Sequence, residues 1–153
     1  MTGRTVKQHS ADIRRYSYNE RIAATVCDHD AEDMATMREN GIATTRALKA
    51  VKVGIEKVQD VLRIRPDGKP RLMVFRDGMI DGIAYGLVEV DQTLQINRKP
   101  IRTEQEFQTY IWSNHKTKDE PVKQDDHGMD MIRYAVMYAD ASRRIVRGRS
   151  YQG

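Results

Sequence analysis

The sequence predicts an α/β fold, and three observations carry that prediction. Ile22-Ala23-Ala24-Thr25-Val26-Cys27 is a short, nearly continuous apolar run bounded by charge, the pattern of a strand buried on both faces. Leu48, Val51, Ile55, Val58 and Leu62 recur at steps of three and four, the core-facing stripe of a helix. Gln124-Asp125-Asp126-His127-Gly128-Met129-Asp130 gathers carboxylates and an imidazole at the head of a further helix.

In chain order, residues 5–17 read as a helix with Val6, Ile13 and Tyr16 as a partial apolar stripe. The strand over 22–27 ends abruptly in Asp28-His29-Asp30-Ala31-Glu32-Asp33. Ligands of open α/β sheets bind beyond the carboxyl ends of the strands, and Asp28 falls at such an end. Asp30 reads as the N-cap of the next helix, which leaves Asp28 without a structural task. That helix carries Met34, Met37 and Arg38 and stops at Asn40-Gly41. Ile42 to Thr45 reads as a second short strand, residues 46–63 as the strongest helix, and Pro66-Asp67-Gly68-Lys69-Pro70 as a turn. Arg71 to Phe75 reads as a strand. Residues 79–100 suggest a loop or hairpin insertion, with 87–90 as a strand inside it. Thr103-Glu104-Gln105-Glu106 resembles a capping box that opens a segment whose Phe107, Tyr110 and Trp112 are expected to anchor core.

In the last helix, Met129, Ile132 and Val136 form one apolar stripe, while Asp126, Asp130 and Arg133 run along a neighbouring face. A helix held by its apolar side would keep the Asp126 carboxylate rigid at a surface groove. Such carboxylates suit Mg²⁺ or Mn²⁺, hard ions that take oxygen ligands. Acids in a first turn also simply favour the positive end of the helix dipole, and both readings stand at this point.

The 153 residues suffice for one domain with a real core. With 39% hydrophobic and 31% charged residues the chain reads as a soluble protein. No apolar run approaches the ~20 residues of a membrane span, and the polar N-terminus does not read as a signal peptide. A single cysteine, Cys27, precludes an internal disulfide and fits a reducing compartment. The net charge of +4 permits a nucleic-acid partner without requiring one. The clearest asymmetry is a basic tail over 143–153 with Arg143, Arg144, Arg147 and Arg149, either a solvated end or a set of phosphate contacts.

Pro121 through Asp130, followed by Ile132-Arg133-Tyr134, resembles the terminal motif of the nuclease domain of tailed-phage terminase large subunits. The upstream segments resemble that family in order and spacing. Val26 to Asp33 is similar to its middle acidic strand end, Gly41-Ile42 through Ala47-Leu48-Lys49-Ala50-Val51 and Gly54-Ile55 to the segment after it, and Phe107, Tyr110 and Trp112 to its aromatic stretch. The likeness spans roughly residues 6–140, and Met131 stands where the family usually has a small residue.

The resemblance implies a ribonuclease H-like mixed sheet flanked by helices, in which acids from a first strand, a middle strand and a final helix bind two Mg²⁺ or Mn²⁺ and double-stranded DNA is cut. It implies Asp28 and Asp126 as catalytic metal ligands, with Asp125 and Asp130 as further ligand candidates. His29, His127 and Lys49 are implied as supporting or phosphate-contacting groups, and Arg143, Arg144 and Arg147 as DNA contacts. The histidines read equally well as surface residues. The implied partners are DNA, the rest of a terminase large subunit, the small terminase and the portal protein, in the cytoplasm of a bacterial host.

Two departures qualify the resemblance. There is no G-x-x-x-x-G-K-[ST] motif for the packaging ATPase. Nothing before Ile22 reads as a strand bearing the family's first acid, and Asp12 lies in a predicted helix. The expectation is therefore residues 1–142 as the C-terminal part of a nuclease domain, from a split or truncated terminase, that binds metal weakly and cuts poorly alone. The alternative is a non-catalytic module that binds DNA or a packaging partner. A zinc site on Cys27, His29 and His127 is a third reading, against which the Cys-x-His spacing argues.

Overall fold

The structure, a computed structural model, describes residues 4–28, 31–74, 92–114 and 120–149, with 143–149 as backbone. It is mixed α/β and about 50% helical. The chain divides into two compact units, Met1–Leu48 and Lys49–Gly153. None of the described helices is long and apolar enough to cross a membrane.

The first unit opens with α1 (Val6–Tyr16). Thr5 Oγ1 accepts from the Gln8 N–H at 3.3 Å and Gln8 Oε1 accepts from the Thr5 N–H at 2.8 Å, a reciprocal cap that satisfies two otherwise orphaned donors. β1 (Thr25–Cys27), α2 (Ala31–Glu39) and β2 (Thr44–Arg46) then form a strand–helix–strand unit. The strands pair in parallel, Thr25 opposite Thr44 and Cys27 opposite Arg46, and a helix supplies the crossover that parallel pairing needs. Cys27, Met34, Met37 and Ile42 are buried together, with Val6 and Ile13 packed against them. α2 ends in a Schellman motif: the Ile42 N–H donates to the Met37 carbonyl at 3.0 Å and the Gly41 N–H to the Arg38 carbonyl at 2.9 Å. Gly41 adopts the φ of +80° that this closure requires.

The second unit rests on α3 (Val51–Leu62) packed against a long helix near the end of the chain. Among the described residues between them lie two short helices, α4 (Gln92–Ile96) and α5 (Thr103–Glu106). The long helix, α6, spans His127–Arg149. Val58 on α3 and Met129, Ile132, Tyr134 and Met137 on α6 are buried.

Several expectations are corrected. The strand predicted over 22–27 begins only at Thr25, and Ile22 is 50% exposed. The pairing strand is three residues long, so residues 22–24 have no ladder partner in it. The helix predicted over 46–63 starts at Val51, because residues 44–46 are committed to the sheet and the Ala47 N–H donates to the Cys27 carbonyl at 2.9 Å. Arg71–Val74 is not a strand. The N–H groups of Arg71 and Leu72 both donate to the Val61 carbonyl, which ties this segment to the end of α3. Phe107 and Trp112 are 36% and 45% exposed, so they do not anchor core as expected. The basic segment from Arg143 continues α6 as far as Arg149. The Asp30 cap, His29 and the strand over 87–90 lie outside the described residues, as do the side chains of Arg143, Arg144 and Arg147.

Candidate functional site

In the first unit, Asp28 follows β1 directly and is exposed. It lines a cavity of about 550 Å³ together with Arg4, His9 and Asp33 and the apolar side chains of Val6, Ile13 and Met37. This is the strand-end position at which α/β sheets take ligands. Cys27 beside it is buried. Burial pushes its thiol above the ordinary range, and the positive charge of Arg38 only partly opposes this. It is a packed sulfur group 3.7 Å from Met37 Sδ, not an activated nucleophile.

In the second unit, the head of α6 is docked on α5. The Met129 N–H donates to Glu106 Oε2 at 3.0 Å, so a buried carboxylate from 23 residues upstream satisfies one of the free donors of the helix start. Gly128 permits the approach: a Cβ there would lie 2.5 Å from Thr103 Oγ1 and 3.0 Å from Glu106 Oε2. Sequence reasoning took Thr103 for the cap residue, whereas it is the first residue of α5. It assigned Glu106 no role beyond the local box, because a contact over that separation leaves no periodic trace.

The three carboxylates at this head differ sharply. Asp125 has a left-handed backbone, φ +49°, and pairs with Lys99 at 3.3 Å. Asp130 accepts from Arg133 Nη2 at 2.6 Å and from the Tyr134 hydroxyl at 3.3 Å. Asp126 caps the helix through its backbone carbonyl, which accepts from the Asp130 N–H at 2.9 Å. Its half-buried side chain has no hydrogen bond or ion pair among the described residues. His127 is exposed.

Arg133, expected on the surface face with Asp126 and Asp130, is 4% exposed. It lies across Gly54 of α3, where a Cβ would come 2.6 Å from its Cγ. Its Nη1 donates to the Lys49 carbonyl at 3.3 Å, and its guanidinium stacks 4.6 Å from the Tyr134 ring centroid. Burial opposes its charge, but the Asp130 hydrogen bond and charge outweigh that and hold the guanidinium firmly protonated. Lys49 thus contributes its backbone here, and its side chain is exposed. Burial, with the negative charge of Asp130 next, pushes the Tyr110 phenol above its ordinary range; Asp126 adds to the rise and Arg133 opposes it.

Asp28 and Asp126 belong to different units. Among the described residues no three His, Cys, Asp or Glu side chains are grouped to hold a metal ion. The described donors by themselves do not form the group of ligands that the resemblance implies. Comparisons with protein-family models, with curated proteins and with solved structures found no match to this chain.

Proposed function

We propose that this chain is the C-terminal portion of a terminase-type, ribonuclease H-like DNA nuclease domain, contributing Asp28 and Asp126 to a metal site completed by an acid from another segment. The observation that carries this reading is the contrast at the head of α6. Asp125 and Asp130 are each neutralised by a cation, while Asp126, half-buried and fixed by a docked helix start, has no such partner among the described residues. A rigid carboxylate with free lone pairs is what a divalent cation requires. The position of Asp28 at a strand's carboxyl end supports the same reading.

When bound, a pair of divalent cations activates water and stabilises the leaving oxygen of a phosphodiester. The chain's own part is to hold its two carboxylates still. With the first acid lacking, the isolated chain binds divalent metal weakly and cuts double-stranded DNA little or not at all. A second reading, a non-catalytic module that binds DNA or a packaging partner, is favoured by the lack of a three-ligand group among the described residues.

Titration with Mn²⁺ followed by paramagnetic broadening of amide signals separates the two. The nuclease reading expects broadening around both Asp28 and Asp126, lost at both in either Asp28→Ala or Asp126→Ala. Broadening at neither, or at one alone, overturns it in favour of the module. Robust Mg²⁺-dependent nicking by the purified chain would show instead that the site is complete.

A further inference from the structure

An open cleft of about 560 Å³ is lined by Arg98, Lys99, Gln105, Gln108, Gln124 and Asp125 among others. One feature of its wall is out of keeping with local backbone chemistry. α4 ends in the same Schellman pattern as α2: the Lys99 N–H donates to the Leu94 carbonyl at 2.9 Å and the Arg98 N–H to the Gln95 carbonyl at 3.1 Å. The residue that must turn left-handed here is Arg98, at φ +54°, where glycine is the usual occupant. A long β-carbon-bearing side chain in that conformation is strained. The two backbone bonds of the turn are all that offset the strain, since the guanidinium has no hydrogen bond or ion pair among the described residues.

The neighbouring Lys99 has only a half-exposed pair with Asp125 at 3.3 Å, which contributes little and is readily exchanged for a stronger anion. Gln105, Gln108 and Gln124 are amides, able to donate to oxygen without adding charge, and Ile111 and Val122 give the cleft an apolar wall. Two adjacent cations backed by amide donors, on a chain of net charge +4, make a surface for a phosphodiester backbone.

We propose that this cleft seats the phosphate backbone of double-stranded DNA, with Arg98 as its principal contact and Lys99 released from Asp125 as the strand binds. The inference deepens the nuclease reading and rests on it for the identity of the ligand. It puts the duplex next to Asp125, the immediate chain neighbour of Asp126. It also gives Arg98 a reason to occupy a glycine position.

The test is metal-free binding of the purified chain to a random-sequence DNA duplex across a salt series, for wild type, Arg98→Gly and Arg98→Lys. Arg98→Gly relieves the backbone, so its thermal midpoint should equal or exceed that of wild type while duplex affinity falls about tenfold at low salt. The slope of log affinity against log salt should drop by about 1. Arg98→Lys should keep most of the slope. Wild-type affinity and slope in Arg98→Gly, or no duplex binding by wild type, overturns the proposal. The outcome is separable from the metal experiment. Shared Mn²⁺ broadening with an unaffected Arg98→Gly leaves the nuclease reading and removes the cleft. Weakened duplex binding without shared broadening leaves a DNA-binding cleft on a module that does not cut.

Discussion

The two units of this chain treat their local rules differently. In the first, the caps and turns of the helices are made by residues well suited to them, although the buried Thr44 Oγ1 has no hydrogen-bond partner among the described residues. Thr5 and Gln8 cap α1 reciprocally, Ser10 is fully buried with its hydroxyl donating to the Val6 carbonyl at 2.9 Å, and Gly41 makes the left-handed turn that ends α2. In the second, an arginine makes the equivalent turn, an arginine is buried between helices, and a glutamate from a distant segment supplies a helix start with its acceptor. Sequences fold well when local and global preferences agree, and departures gather where side chains serve something besides stability. The contrast sets the second unit apart, around 98–99 and 125–133, as the place where local preferences are overridden.

Four substitutions sharpen or break that contrast. The largest effect is expected at Arg133. Arg133→Ala strips Asp130 of its partner, leaves the Lys49 carbonyl without its donor and opens space over Gly54, so urea unfolding should show a loss of about 3–4 kcal/mol. A loss below about 1 kcal/mol would mean that the buried guanidinium is incidental.

Next comes Gly41→Ala, at about 1–2 kcal/mol of destabilisation. The nearest atom to the added Cβ is Arg14 Nη1 at an unstrained 3.8 Å, so the cost is conformational. It should be opposite in sign to Arg98→Gly, for which a gain of about 0.5–1 kcal/mol is expected from the same denaturation curves. Two losses, or two gains, would erase the distinction between these helix ends.

The smallest effect is confined to alkaline solution. Because the folded-state pKa of Tyr110 is raised, its contribution is intact below the ordinary tyrosine value near 10 and is lost as pH climbs through the folded-state value. Tyr110→Phe should leave stability near neutrality little changed and remove part of the alkaline decline in thermal midpoint. An unchanged alkaline limb would show that neither burial nor the Asp130 charge holds the phenol protonated.

What was legible in the sequence was local. Periodicity gave α6 its apolar stripe and α1 and α3 only part of theirs, since Tyr16 is 54% exposed and Leu48, 47% exposed, lies before α3; Asn40-Gly41 marked the end of α2 because a left-handed glycine is written into the chain where it acts. The turn over 66–70 was visible for the same reason, with Gly68 at φ +78°. Illegible were features set by partners far along the chain. The apolar character of 22–24 could not reveal that its pairing strand stops short. The charge of Arg133 argued for exposure, and only Gly54, 79 positions earlier, makes room to bury it. Arg98 fell in a stretch read as an insertion, although Asn97-Arg98-Lys99-Pro100 is the kind of cationic, proline-terminated sequence that closes helices.

The hollow at Gly54 also acts as a keyway. Because one side chain of α6 slots over the single position of α3 that lacks a β-carbon, the two rods cannot slide past one another by a residue without driving a methyl-sized obstacle into the guanidinium stem. Each such step would carry the acidic tip of α6 about 1.5 Å along its axis and roughly 100° around it, enough to misaim a carboxylate. The missing methyl at 54 thereby sets the reach of the Asp126 carboxylate, about two turns of helix from Arg133, so that a gap in α3 calibrates the acidic end of α6.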